Sequence, residues 1–357
     1  MSTTIAEAQV TEFKWSELAA IPDAHGFAGS FGGTSGGSMI VAGGANFPDG
    51  GAPWTGSKKV WTNQIFVLEK PDGQWKVVGK LPHNLGYGVS VTWNNKLICV
   101  GGSNEAGHTQ KVFALSYNTQ SITIDTLPDL PYALANSSGA VAGNILYVAG
   151  GLINPDDRRC ANLFLSLDLS LPAAEQRWHK LDSWPGPARM LAATGAINNT
   201  FYLFSGAELV DAQNGSVKRR YLNDAYSYAP GKGWKQLADM PWAAVAAPNS
   251  VYTSNKNVLS IFGGDDGQLA ERADLKETHP GFNIRILNYY VNENQWKAGS
   301  DIPVEKNKNS VSKPNESLWA PVTVPLVIWN GKLVFPGGEV RPAVRTPRVR
   351  VATPVKH

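Results

Sequence analysis

Along most of the chain, apolar and polar residues alternate over short runs, the period of a half-buried strand. Five such runs end in a glycine pair: "MIVAGG" (39–44), "KLICVGG" (96–102), "ILYVAGG" (145–151), "VLSIFGG" (258–264) and "KLVFPGG" (332–338). Ser205-Gly206, after "TFYLF", is a degenerate sixth. Each run follows another alternating strand and a short turn. A loop, a third strand and a fourth strand come after it, and Trp75, Trp178, Trp234 and Trp296 mark the fourth strand in four units. In the second unit Ile124 stands where a tryptophan is expected. The pairs recur roughly every 50–75 residues, a period that signals stacked repeats, each unable to bury its apolar face alone.

The sixth unit has no room for its fourth strand before His357, whereas "FKWSELAAIP" near the N-terminus holds Trp15 in the matching setting. The N-terminal strand is therefore expected to complete the last sheet and close a ring, which removes exposed sheet edges. The fold expected is all-β: one domain over residues 1–357, a six-bladed β-propeller of four-stranded blades. With the strands of a blade running up and down in turn, the glycine pair and the start of the next blade's first strand share one face of the disc. Asn46, Glu105, Asn154, Glu208, Asp265 with Asp266, and Glu339 should ring one mouth of the channel. His25, Tyr87, Tyr132, Arg189, Trp242 and Trp319, leading into the first strands, should join them. Such a polar and aromatic mouth suits a small polar ligand.

Composition narrows the chemistry. The hydrophobic fraction of 43% supports a proper core, and a net charge of +3 with scattered basic residues argues against nucleic acid as a partner. No run of about 18 apolar residues is present, so no membrane span is expected. The N-terminus shows no basic, apolar leader and reads as cytoplasmic; a chain whose leader had been removed would look the same and would be periplasmic. Cys99 and Cys160 make no disulfide framework, and the six histidines show no metal-ligand spacing. "GTSGG" (33–37) fits a nucleophile elbow in letters only, because it lies between two strands. The segment 303–317 reads as a polar linker between blades.

The stretch "PGGEVRPAVRTPRVRV" brings Glu339, Arg341, Arg345, Arg348 and Arg350 close together. With "HGFAGSFGG", "GGANFPDG", "GSKKVWTNQIFVL" and "GYGVSVTWNN" it resembles the kelch-type N-acetylneuraminate epimerases, or sialic acid mutarotases, over nearly the whole chain. The order is circularly permuted relative to the better-known branch, whose "GE…P…R" segment lies in mid-chain. A ring of blades with adjacent termini tolerates that. The resemblance implies a cofactor-free enzyme that interconverts the α and β anomers of sialic acid, a small-molecule substrate. By position it makes Glu339 the catalytic acid/base and Arg345 its partner, holding the substrate carboxylate. Arg341 replaces a lysine-like residue, with its charge kept.

Anomerisation passes through the open-chain ketone. One carboxylate can move both protons in turn, and an arginine fork matches a carboxylate's two oxygens. Arg189, Arg341, Asn46, Tyr87 and Glu208 are the candidate substrate contacts. Plainer readings stand beside these. Without the resemblance Glu339 is equally a solvated loop acid, Arg189 a loop brace, and Asn46, Glu208 and Asp265 structural. Lys58 and Lys59 match the family segment but read as solvated, as do Arg348 and Arg350 on the alternating "RVRVATP". The alternative function is a kelch interaction module that binds a protein loop and does no chemistry.

Overall fold

Each alternating run forms a strand, and the strands assemble into six antiparallel four-stranded sheets. This is a computed structural model, described over residues 12–254 and 257–355. The leader reading on residues 1–11 and the end at His357 lie outside the described residues. The first blade is Phe31–Ser35, Ser38–Ala42, Gln64–Leu68 and Lys76–Lys80, from channel to rim. The sixth is Val327–Trp329, Lys332–Pro336 and Val349–Pro354, completed by Phe13–Leu18. Phe13–Leu18 pairs antiparallel with Val349–Pro354, setting Trp15 opposite Ala352, as the ring-closure argument requires. The arrangement is a six-bladed β-propeller.

The core lies between blades, where the faces of neighbouring sheets interdigitate. Between the third and fourth blades Tyr147 stacks on Phe164 at 5.2 Å, and Trp234 packs on Phe164 at 4.6 Å. The recurring tryptophans also tie four of the six blades to their predecessors through a hydrogen bond. The indole N–H groups of Trp75, Trp178, Trp234 and Trp296 donate to the carbonyls of Ala19, Pro128, Asp182 and Ala238 at 2.7–2.9 Å. Each acceptor follows the outer strand of the blade before, so Trp75 joins the first blade to the sixth.

The glycine pair serves the same joint. Gly150 has φ +66°, and a Cβ there would come within 2.1 Å of the Arg189 carbonyl oxygen at the next blade. Ser205 adopts φ +54° at the degenerate position and uses its hydroxyl instead. That hydroxyl donates to Leu222 at 2.9 Å and accepts from the Ala244 N–H at 2.7 Å.

Closest to the channel axis, six backbone N–H groups form a closed circle. Gly29 donates to Thr323, Tyr87 to Gly29, Asn136 to Tyr87, Leu191 to Asn136, Ala246 to Leu191 and Thr323 to Ala246, all at 2.7–2.9 Å. All six residues hold φ between +52° and +68°. Five are not glycine, a conformation costing roughly 1–2 kcal/mol each, which the ring of hydrogen bonds offsets. This circle sets the diameter of the throat below the mouth.

Arg350 is not on a solvated face, whereas Arg348 stays partly exposed. Val349–Pro354 is an inner strand covered by Phe13–Leu18, so Arg350 is buried. It donates to the Trp319 carbonyl at 2.7 Å and lies over the Trp15 ring at 4.9 Å. Arg348 pairs with Glu17 at 2.7 Å. Among the described residues no helix is long and apolar enough to cross a membrane.

Candidate active site at the channel mouth

The residue before each member of the throat circle bridges to the first residue after the glycine pair of its own blade. The bridges are Ala28–Ala45, Gly86–Ser103, Ala135–Leu152, Met190–Ala207, Val245–Asp265 and Val322–Glu339. One position per blade therefore faces the axis, and only Asp265 and Glu339 are acidic there. This register corrects the expected ring. Asn46 and Glu208 come one residue later, and successive side chains of a strand point to opposite faces. Asn46 is buried and donates to Gly26 at 3.0 Å and Asp23 at 3.1 Å. Glu208 turns to Arg220.

In four blades the chain returns as a short antiparallel strand beside that position. The pairs are Ala45–Trp61, Ser103–His108, Ala207–Tyr221 and Glu339–Arg345. Glu339 and Arg345 are direct cross-strand partners, which brings both side chains to one face. A cavity of about 920 Å³ opens over the throat, walled by Glu339, Arg345, Tyr87, Lys59, Trp61 and His108 among others. Lys58, Lys59, Arg219 and Arg345 face four carboxylates in this wall: Glu105, Asp156, Asp265 and Glu339. Any preference of this cavity for an anion would therefore come from local placement, not from net charge.

Arg345 provides that placement. It is only 7% exposed and stacks over Phe47 at 4.9 Å. Its Nη2 lies 3.6 Å from Glu339 Oε2 and donates to the Tyr87 hydroxyl at 3.4 Å. Nε and Nη1 are buried without a hydrogen-bond partner, a costly state for a charged group. Burial opposes the Arg345 charge, but Glu339 and Tyr87 outweigh it and hold the guanidinium above its ordinary pKa. Glu339 accepts the Ala343 N–H on Oε1 at 3.0 Å, leaving Oε2 toward the arginine. Burial pushes the Tyr87 phenol up, against the pull of Arg345.

Arg189 and Arg341 are placed elsewhere. Arg189 is fully buried away from the mouth and grips Asp224 with two bonds of 2.7 and 2.8 Å. It also donates to the Ser205 carbonyl and lies over Trp184 and Tyr226. It is a brace, with no face left for substrate. Removing one partner of such a pair strands the other, so Arg189→Met should cost about 3–5 kcal/mol, seen as a lower melting temperature. Arg341 lines a separate cavity of about 170 Å³ with Trp54, Val311 and Asn315, and donates to the carbonyls of Glu277 and Val311. The segment 303–317 thus helps wall that cavity. Arg345 borders both spaces.

Three mouth residues escaped the sequence reading as ligand contacts. Trp61 and His108 occupy the Arg345 position in the first two blades, and Trp61 Nε1 and both His108 ring nitrogens are buried without partners. Burial lowers the His108 pKa against the pull of Asp157. Lys59 sets its Nζ 4.8 Å from the Trp61 ring centroid and 4.9 Å from that of Tyr87. The usable signal was positional: the residue returning opposite the first post-glycine position. Among the described residues no group of three or more His, Cys, Asp or Glu could hold a metal ion.

Comparison with known proteins agrees with this architecture. The solved "Structure of YjhT" superposes with a TM-score of 0.64 at 16% identity, covering 80% of this chain and 88% of that one. At that identity it speaks for the fold alone. N-acetylneuraminate epimerase of Haemophilus influenzae (strain PittEE) is 36% identical over 126 residues, 31% of this chain and 33% of that protein. The protein of the same name from Pasteurella multocida (strain Pm70) is 34% identical over 128 residues, 31% of this chain and 34% of its own length. The matched stretch thus spans about a third of these curated relatives. The family model for N-acetylneuraminate epimerase matches residues 2–124 and 127–356. With nearly its whole length matched, the chain belongs to the N-acetylneuraminate epimerase family.

Proposed function

We propose that this protein is a cofactor-free mutarotase that interconverts the α and β anomers of N-acetylneuraminic acid through the open-chain keto form. The observation that carries this reading is the buried Arg345, with two unpartnered guanidinium nitrogens, beside Glu339 in the wall of the mouth cavity. Arg345 holds the sugar carboxylate, which fixes the neighbouring anomeric carbon near Glu339 Oε2. Glu339 takes the proton of the anomeric hydroxyl as the ring opens. The ring oxygen keeps the electrons of the broken bond and gains a proton from an acid at the mouth, to be given back on closure. After the ketone turns its other face, Glu339 returns that proton as the ring closes. The reaction occurs slowly unaided, so the roughly 10²–10⁴-fold supplied by a positioned acid/base is sufficient.

The direct test is one-dimensional NMR of freshly released α-sialic acid with and without the protein, after subtraction of spontaneous exchange. A hydrogen bond to a charged group is worth roughly 1.5–3 kcal/mol. Arg345→Ala should therefore lower the catalysed rate at limiting substrate by about ten- to a hundred-fold. Arg345→Lys should restore part of it, because a single ammonium lacks the fork. Wild-type protein with no exchange above background would reject the reading, and a propeller that binds another protein through this mouth would take its place.

A further inference from the structure

We propose that Lys59 is a second catalytic residue of this site, giving the ring oxygen its proton as the anomeric bond breaks and taking it back on reclosure. The inference rests on the mutarotase reading above and assigns the half of the proton traffic that Glu339 leaves unmet. Ring opening needs two protons to move at two different oxygens. Glu339 has one oxygen committed, since Oε1 accepts the Ala343 N–H at 3.0 Å. A lone carboxylate can move both protons only one after the other. With Oε2 serving the anomeric hydroxyl, a separate donor lets the ring oxygen gain its proton in the same step.

Lys59 is placed for that part. It lies in the loop just before the returning strand Val60–Trp61 of the first blade, and it lines the mouth cavity together with Trp61. Its ammonium lies over the Trp61 and Tyr87 rings at 4.8 and 4.9 Å. Contacts of this kind fix a cation's position without accepting its protons. The Tyr87 hydroxyl in turn accepts from Arg345, and Arg345 lies 3.6 Å from Glu339. Lysine, tyrosine, arginine and glutamate thus form one connected corner of the cavity, built from three neighbouring blades.

Chemistry also favours Lys59 over its neighbours. Lys59 remains exposed at the rim, as the sequence led one to expect. Crowding by the cavity wall lowers its pKa, the Arg345 charge lowers it further, and Glu339 opposes them. A lysine tuned downward yields its proton more readily than a free one. Tyr87 is shifted the other way by burial and is the poorer acid. Lys58, Glu105 and His108 also face this cavity.

The step balances without a co-reactant. Glu339 carboxylate takes the hydroxyl proton, and the oxygen–hydrogen electrons form the carbonyl. The bond between the anomeric carbon and the ring oxygen breaks, its electrons stay on that oxygen, and the oxygen takes a proton from the Lys59 ammonium. The open ketone then lies between a neutral carboxyl and a neutral amine. Rotation presents the other carbonyl face. The hydroxyl attacks, returns its proton to Lys59, and the new anomeric oxygen takes one from Glu339.

The test uses the full chain with Lys59→Gln and Lys59→Arg, assayed by anomer-exchange NMR across pH. The ammonium form is required, and it is lost as pH rises through a lysine pKa held below its ordinary value. Wild-type catalysis should therefore fall on the alkaline side, earlier than an unperturbed lysine would dictate. Lys59→Gln should reduce kcat by about 10²-fold with KM little changed, and should abolish the alkaline limb. Lys59→Arg keeps the positive charge but does not deprotonate, so it should be nearly as slow as Lys59→Gln. A Lys59→Arg protein at the wild-type rate would make Lys59 a mere charge and overturn the proposal. So would a Lys59→Gln protein that keeps the wild-type rate or its alkaline limb. If wild type itself exchanges nothing above background, the mutarotase reading fails, and this assignment with it.

Discussion

Glu339→Gln is expected to leave the propeller folded while slowing anomer exchange by about 10²–10⁴-fold. The carboxamide keeps the size of the side chain, and its oxygen can still accept the Ala343 N–H that holds Glu339 at 3.0 Å. The backbone bonds between Glu339 and Val322, 2.8 and 2.9 Å long, do not involve the side chain. What disappears is the ability to take and return a proton at Oε2. Arg345 then faces a neutral neighbour, so substrate binding through the carboxylate should persist or tighten. The expected pattern is a collapsed kcat with KM unchanged or lower, together with an unaltered melting temperature. Wild-type exchange by a folded Glu339→Gln protein would reduce Glu339 to a loop acid. Asp265 would then be the next candidate, because it holds the equivalent axial position in the neighbouring blade.

Deleting the residues before Ile21 should have the largest effect on stability. The lost strand contributes six paired positions along Val349–Pro354. It also supplies the aromatic seam to the fifth blade, where Phe13 meets Phe262 at 5.1 Å and Trp15 meets the same ring at 6.2 Å. Burying one large apolar side chain is worth roughly 1.5–3 kcal/mol. Two aromatics and a full strand edge therefore make up a large part of a typical net stability of about 5–15 kcal/mol. The Ala19 carbonyl that anchors Trp75 goes with them, and the bared edge invites association between molecules. The truncated chain should melt far lower and aggregate, and a synthetic peptide of residues 12–20 should partly rescue it. A melting temperature equal to that of the full chain would contradict closure by this strand.

The fold was legible because its signals are local. Alternation, glycine pairs and tryptophans at one offset each report the environment of a single strand, and a repeat multiplies every such signal. Trp15 alone sufficed to assign the N-terminal segment to the last blade, because it sits in the setting shared by Trp75, Trp234 and Trp296. The pairing of Glu339 with Arg345 came from a resemblance, and their cross-strand contact from the structure.

Side-chain direction beyond the glycine pairs was not legible. A one-residue difference in register moves a side chain from the axis to the opposite face. Asn46 and Glu208 therefore turned away, while Asp265 and Glu339 turned inward. Nor does sequence say which charges are already satisfied. Arg189 and Arg345 look alike as letters, yet Asp224 neutralises the first, while two nitrogens of the second lack a partner. Residues far apart in the chain, such as Lys59 and Glu339, become one site only when the ring closes. The alternating pattern decided that there would be blades and how many. Register and ring closure, which depend on contacts between distant strands, decided which charges meet at the mouth.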